Sequence, residues 1–210
     1  MQFLSTRAGI SGSIFVAGAF LIVSVVIADI SVGNSRTNVS NDVIYSEVTL
    51  TKPSGVVSGD LLLASISING GQPTTATTTH PSGWTLLAKT DNDTHVGILT
   101  YWKIAGASEP SSYTWTIGTQ VRAVGGITRF TGVSTSNPID VVASSTGRGT
   151  SAIAPSATTT QDGARIITVF AVNVGKENTI FATSTGMTKL YDIKNEPLGP
   201  TASAQERSQA

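Results

Sequence analysis

The sequence lacks cysteine altogether and carries unusually little charge. Without cysteine there is no disulfide framework, no thiolate metal site and no thiol nucleophile. Charged residues are 12% of the chain, about half of the usual fraction of roughly 25%. Thirteen basic and thirteen acidic residues cancel to zero net charge. That balance argues against a nucleic-acid partner, whose phosphates call for a surplus of Lys and Arg. It also argues against disorder driven by self-repulsion. Histidine is nearly absent: His80 and His95 are the two imidazoles in the chain. Aromatics are held to 6%.

Small and hydroxylated residues are plentiful instead. The 210 residues include 21 Gly, and about a quarter are Ser or Thr, roughly double the average usage. Such a composition suits a turn-rich, strand-rich protein with hydroxylated faces. The length suits one domain with a little left over.

One long uncharged run stands out. No charge lies between Arg7 and Asp29, and the apolar residues are densest from Ile14 to Ile27. As a helix, Ala8 to Ala28 would reach about 31 Å, close to the hydrocarbon thickness of a bilayer. Arg7 before it and Asp29 after it favour a cytoplasmic N-terminus and a chain delivered outside. Residues 1–30 are therefore expected to form a hydrophobic α-helix. It serves either as a signal peptide cleaved near Ala28 or Gly33, or as a retained transmembrane anchor contacting the membrane. Arg7-Ala8-Gly9 followed by the apolar run is loosely similar to the leader and first helix of type IV pilins, without their early acidic residue. Residues 31–42 switch to polar, turn-forming types without a strand or helix period, the pattern of a linker.

From 43 to 210 the pattern is that of short strands separated by Gly, Pro and Asn turns. Expected strands are Val43–Leu50, Leu61–Ile68, Trp84–Thr90, His95–Ala105, Tyr113–Ile117, Ala123–Phe130, Ile139–Ala143, Arg165–Val174 and Met187–Tyr191. The run at Leu61 begins without alternation, as a central strand covered on both faces would. Asp91-Asn92-Asp93-Thr94 marks a hairpin turn. The expected fold is all-β: an antiparallel two-sheet β-sandwich, jelly-roll-like, behind the N-terminal helix.

Five motifs recur in order: Lys52-Pro53-Ser54-Gly55 through Leu62, Pro81-Ser82-Gly83-Trp84 through Leu87, Tyr101-Trp102-Lys103-Ile104 through Pro110, Tyr113-Thr114-Trp115, and Asn137-Pro138-Ile139-Asp140. Together they resemble a β-sandwich module of bacterial secreted or cell-surface proteins and of phage tail-associated proteins. The likeness runs from about Lys52 to Met187 and implies fold and compartment rather than an activity. Members of that family continue past the position of Ala210 with a further apolar strand. Here the last residues are polar, so the domain is expected to lack its closing strand or to borrow one from a neighbouring subunit.

Candidate chemistry is sparse. No nucleophile-elbow signature accompanies His80 or His95. The carboxylates Asp60, Asp91, Asp93, Glu109, Asp140 and Asp162 mostly neighbour Gly, Pro or Asn, where an acid stabilises a turn. Asp91, Asn92 and Asp93 offer three oxygen-bearing side chains in a tight turn, a candidate calcium site; no other cofactor is expected. Trp84, Tyr101 and Trp102 are the candidate sugar-stacking rings, core packing being the competing role. The functional expectation is a non-enzymatic structural or adhesive module, secreted or displayed at the cell surface. Neighbouring subunits or surface glycans are its expected partners. A carbohydrate-binding module and a secreted hydrolase are the rivals.

Overall fold

A computed structural model describes residues 7–23, 30–39, 44–173, 181–194 and 199–208. The chain is mostly strand, and the paired strands are antiparallel. In order they are β1 (Arg7–Val23), β2 (Ser31–Val39), β3 (Tyr45–Thr51) and β4 (Leu61–Asn69). After the four-residue helix α1 (Gln72–Thr75) come β5 (Thr85–Asn92), β6 (Val96–Ile104), β7 (Ser112–Val121) and β8 (Ala123–Thr131). The last four are β9 (Ile139–Ile153), β10 (Arg165–Asn173), β11 (Thr188–Lys194) and β12 (Pro200–Ser208). One five-stranded sheet has the order β11-β12-β10-β1-β9, a second β2-β8-β4-β6-β5, and β3 pairs with β7.

The strand at the start of the chain corrects the expectation of a helix. Arg7–Val23 pairs with β10 on one side and β9 on the other. Residues 1–6 and 24–29 lie outside the described residues. An uncharged apolar run fits a bilayer-length helix and a sheet strand equally well, and the pairing with β9 and β10 decides, with a composition that permits it. Ile10, Ile14, Val16, Ile22 and Val23 are β-branched, while Gly9, Gly12 and Gly18 each weaken a helix by up to about 1 kcal/mol. Among the described residues no helix is long and apolar enough to cross a membrane.

Two further segments expected to be irregular are also strands. Most of the expected linker 31–42 is β2, paired along β8 with a register shift between Val32 and Ser35. Backbone pairing and a 2.8 Å hydroxyl contact between Ser35 and Thr128 hold it, so it needs no apolar period. The polar C-terminal stretch is β12, inserted between β10 and β11. The polar end of the sequence, expected to carry no strand, thus pairs on both sides. Ala202 and Ala204 face the core, while Gln205 is buried and bonds the Ser184 N–H and the Ala182 carbonyl. Polar side chains can fill a central strand when a loop supplies their partners.

Both five-stranded sheets contribute to one buried cluster: Leu61, Leu63, Val96, Ile98, Val124 and Phe130 from one, and Ile167, Val169, Ala171, Tyr191, Ala202 and Ala204 from the other. On the opposite face of β4, Leu62, Ala64, Ile66 and Ile68 pack with Val48 and Leu50 of β3 and with Tyr113 and Trp115 of β7. Leu61–Ile68 is buried throughout, which explains its unbroken apolar start. Gly126 admits Tyr191 across the sheets, because a Cβ there would sit 2.6 Å from the phenol ring. The Tyr191 hydroxyl then bonds Ser65, and burial pushes its pKa up to about 12.

The packing between the sheets is uneven. Ser67, Thr90 and Thr100 point to the same face of β4, β5 and β6 as Ile98 and Trp102. Their hydroxyls are buried and have no hydrogen-bond partner. Each such group costs about 1–3 kcal/mol of desolvation. Thr100→Val, which exchanges the orphan hydroxyl for a methyl group, is expected to stabilise the fold by about 1 kcal/mol. Urea unfolding should show a higher midpoint at unchanged slope; a lower midpoint would mean that the hydroxyl is bonded after all.

Candidate functional site

The first four of the five ordered motifs meet at one end of the β4–β6 and β3–β7 sheets. Lys52 donates from Nζ to the Glu109 carbonyl at 3.2 Å. The Glu109 carboxylate accepts from the Gly106 N–H at 2.7 Å, the Tyr113 hydroxyl at 2.7 Å and Lys103 Nζ at 2.9 Å. Lys103 Nζ also lies 5.7 Å from the centre of the Tyr113 ring, a cation–π distance. Burial pushes the Glu109 carboxyl up, but these three donors outweigh it and hold its pKa below the ordinary value. Tyr113 moves upward, through burial and its bond to the carboxylate.

Asp60 makes a matching anchor. Its carboxylate accepts from the Val57 N–H at 2.8 Å and from Arg129 Nε at 2.6 Å. Asp60 and Glu109 thus each bond an N–H three residues upstream while pairing with a cation across a strand. Turn stabilisation, the role expected of acids beside Gly, Pro or Asn, is what their geometry performs. Asp140 likewise bonds the Thr160 N–H and hydroxyl. The motifs build a frame of turns and ion pairs.

The aromatic residues of the motifs fill that frame. Trp84 meets Tyr113 edge-on at 5.1 Å and Trp115 at 5.2 Å, and Tyr101 lies 5.8 Å from Trp115. Trp84 is 3% and Tyr101 1% exposed. Trp102, next in sequence on β6, points to the opposite face and packs at the margin of the inter-sheet cluster. The three candidate sugar-stacking rings are therefore not gathered into one displayed surface. Two are core, and the third is half-buried on the other side.

The candidate calcium ligands also diverge. Asp91 Oδ1 accepts from Thr75 Oγ1 at 2.7 Å, and its other oxygen faces Lys89 Nζ at 3.9 Å. Asn92 donates to the Gly147 carbonyl of β9 at 2.8 Å. Asp93 adopts φ 47°, forming the turn, and its carbonyl accepts from the Gln72 N–H. Adjacent strand residues alternate faces, so Asp91 and Asn92 serve different layers. Among the described residues no group of three or more His, Asp or Glu could hold a metal ion.

A cleft of about 400 Å³ opens beside this hairpin, lined by Thr75, Thr78, His80, Leu86, Lys89 and Tyr101 among others. The α1 turn forms its rim. Hydroxyls of Thr77 and Thr78 donate back to the Thr74 carbonyl, while that of Thr75 donates to Asp91. The Thr-rich stretch is thereby a self-bonded turn rather than a regular array of free hydroxyls. Gly97 lets α1 approach β6, because a Cβ there would lie 2.4 Å from Thr75 Cγ2. His80 is exposed, 5.4 Å from the Tyr101 ring, with Nδ1 3.2 Å from the Pro81 carbonyl. Burial pushes the Tyr101 phenol up to about 12, so it stays neutral at physiological pH. The cleft presents hydrogen-bonding groups, one ammonium and the exposed Leu86.

Sequence reading did not foresee this cleft. His80 and Tyr101 are 21 residues apart, and α1 is too short to show a helical period. Nor did it foresee the Arg165–Glu206 pair at 2.5 Å, whose residues lie on β10 and β12. Comparison with protein-family models, with curated proteins and with solved structures finds no match to this chain.

Proposed function

We propose that the chain is an exported, non-enzymatic β-sandwich module that acts by contact at a cell surface, as a structural or adhesive element. The observation that carries this reading is the use made of its few charges. Asp60 with Arg129, Lys103 with Glu109, Arg165 with Glu206 and Lys189 with Asp192 are spent on each other in partly or fully buried pairs. What faces solvent is rich in hydroxyls, as where Thr49 and Thr114 bond across the outer face of β3 and β7. A surface of that kind works by short-range hydrogen bonds and dispersion, since it lacks the charge for long-range steering.

The uncharged run behind Arg7 supports export. Its place in the folded sheet adds a condition: the run must be kept. Cleavage near Ala28 would remove β1 and leave β9 and β10 unpaired where it now lies. The expected result is that protease added to intact cells degrades the chain, and that N-terminal sequencing of the mature protein reads from before Ala8. Full-length chain dissolved in the cytoplasm and shielded from the protease overturns the proposal.

A further inference from the structure

We infer that β1 is an exchangeable strand, and that a second copy of this chain can supply it. The inference holds whether or not the protein works at a surface. Three observations converge on β1. First, every backbone pairing it makes is distant in sequence: Arg7 to Val23 pair with residues 139–153 of β9, and Phe15 to Val23 with residues 165–173 of β10. No hairpin ties it to either neighbour, so the slot in its own chain and the slot in another copy present the same bonds. Only the effective concentration conferred by the connecting chain favours its own.

Second, the slot is a gap between two strands. With β1 withdrawn, β9 and β10 each expose a row of N–H and C=O groups, and a strand entering from another copy satisfies both rows at once. The segment itself has no proline and a single charge, Arg7, so nothing in its composition blocks pairing with a foreign edge.

Third, the anchor on the body side is separate from β1: Arg165 donates from Nη2 to the Ile30 carbonyl at 2.5 Å while pairing with Glu206. Ile30 and everything after it can stay seated in one copy while β1 docks in the next.

The absence of native cysteine makes the test direct. Ala17 is in register with Ala171 of β10 and with Thr146 of β9. In a central antiparallel strand, one of those two pairs is of the non-hydrogen-bonded kind that brings side chains closer. Full-length Ala17→Cys is mixed with full-length Ala171→Cys, and separately with Thr146→Cys. One partner of each mixture is isotopically labelled; the two are refolded together at high concentration and oxidised. The expected result is a disulfide-linked dimer between labelled and unlabelled copies that joins position 17 to 171 or to 146. A control mixture of Ala17→Cys with Leu86→Cys, on the other sheet, should show no such dimer. Double variants within one chain report the register itself. If they close internally while the mixtures stay monomeric, β1 does not exchange and the inference falls. It falls too if neither double variant closes, since β1 would then not occupy the slot.

Discussion

Trp115→Ala is expected to lower the free energy of unfolding by about 3–5 kcal/mol, the range for truncating a buried Trp. Trp115 is fully buried on β7, paired across from Val48 of β3 and in contact with the rings of Trp84 and Tyr101. Three elements surround it, so the void left by the indole cannot close by a shift of one loop. Its Nε1–H has no hydrogen-bond partner, so the loss is one of packing alone. Trp115→Phe should therefore cost markedly less than the alanine change. Urea unfolding of both variants checks this. A loss below about 1 kcal/mol for alanine would show that the layer between β7 and β4 is not a packed core.

The second large effect is expected at Glu109. Glu109→Ala should destabilise by about 1–3 kcal/mol, because it leaves the partly buried Lys103 ammonium and the Tyr113 hydroxyl without their acceptor. Glu109→Gln keeps the shape but removes the charge, and should cost less. Acid provides the sharper test. The Glu109 pKa is held below its ordinary value in the folded chain, so between the folded and unfolded values the unfolded state binds more protons. Its contribution is complete above the unfolded carboxylate pKa and is lost as pH falls through the depressed folded one. The stability gap between the parent and Glu109→Gln should thus narrow on going from neutral pH into the acid range. A gap that stays constant would mean that the carboxylate is not held by its three donors.

Both predictions rest on residues that the motifs singled out, yet their roles differ from the ones first in view. Trp84 and Tyr101 were candidates for stacking a sugar, and their motif neighbour Trp115 alternates with Tyr113 along one strand. Alternation told which rings share a face, and it put Tyr101 and Trp102 on opposite sides of β6. It could not tell whether that face meets water, because this depends on the β3–β7 pair arriving to cover it. The doubly covered β4 was legible from its unbroken apolar run, since such a run has no side left for solvent. The hairpin at Asp93 was legible too, because few residues accept φ 47° and this turn supplies one.

The elements that were misjudged share one trait: their strand character comes from partners far away in the chain. β2 and β12 are polar, and β1 is apolar enough to fit a bilayer. In each case the backbone hydrogen bonds come from another strand, whereas side-chain periodicity reports only burial on one face. Gln205 shows the difference plainly. As a side chain it signals solvent, but beside the Ser184 N–H and the Ala182 carbonyl it belongs in the interior.

Local chemistry was enough to establish a low-charge, cysteine-free, strand-rich chain punctuated by Gly and Pro turns, because those properties belong to short stretches of sequence. Tertiary structure alone decided that the apolar start is a central strand, that Asp60 pairs with Arg129 and Glu109 with Lys103, and that His80, Lys89 and Tyr101 share a cleft. The reason is physical: a strand does not close its own backbone hydrogen bonds, so in a β protein the conformation of each segment is settled by the neighbour it finds.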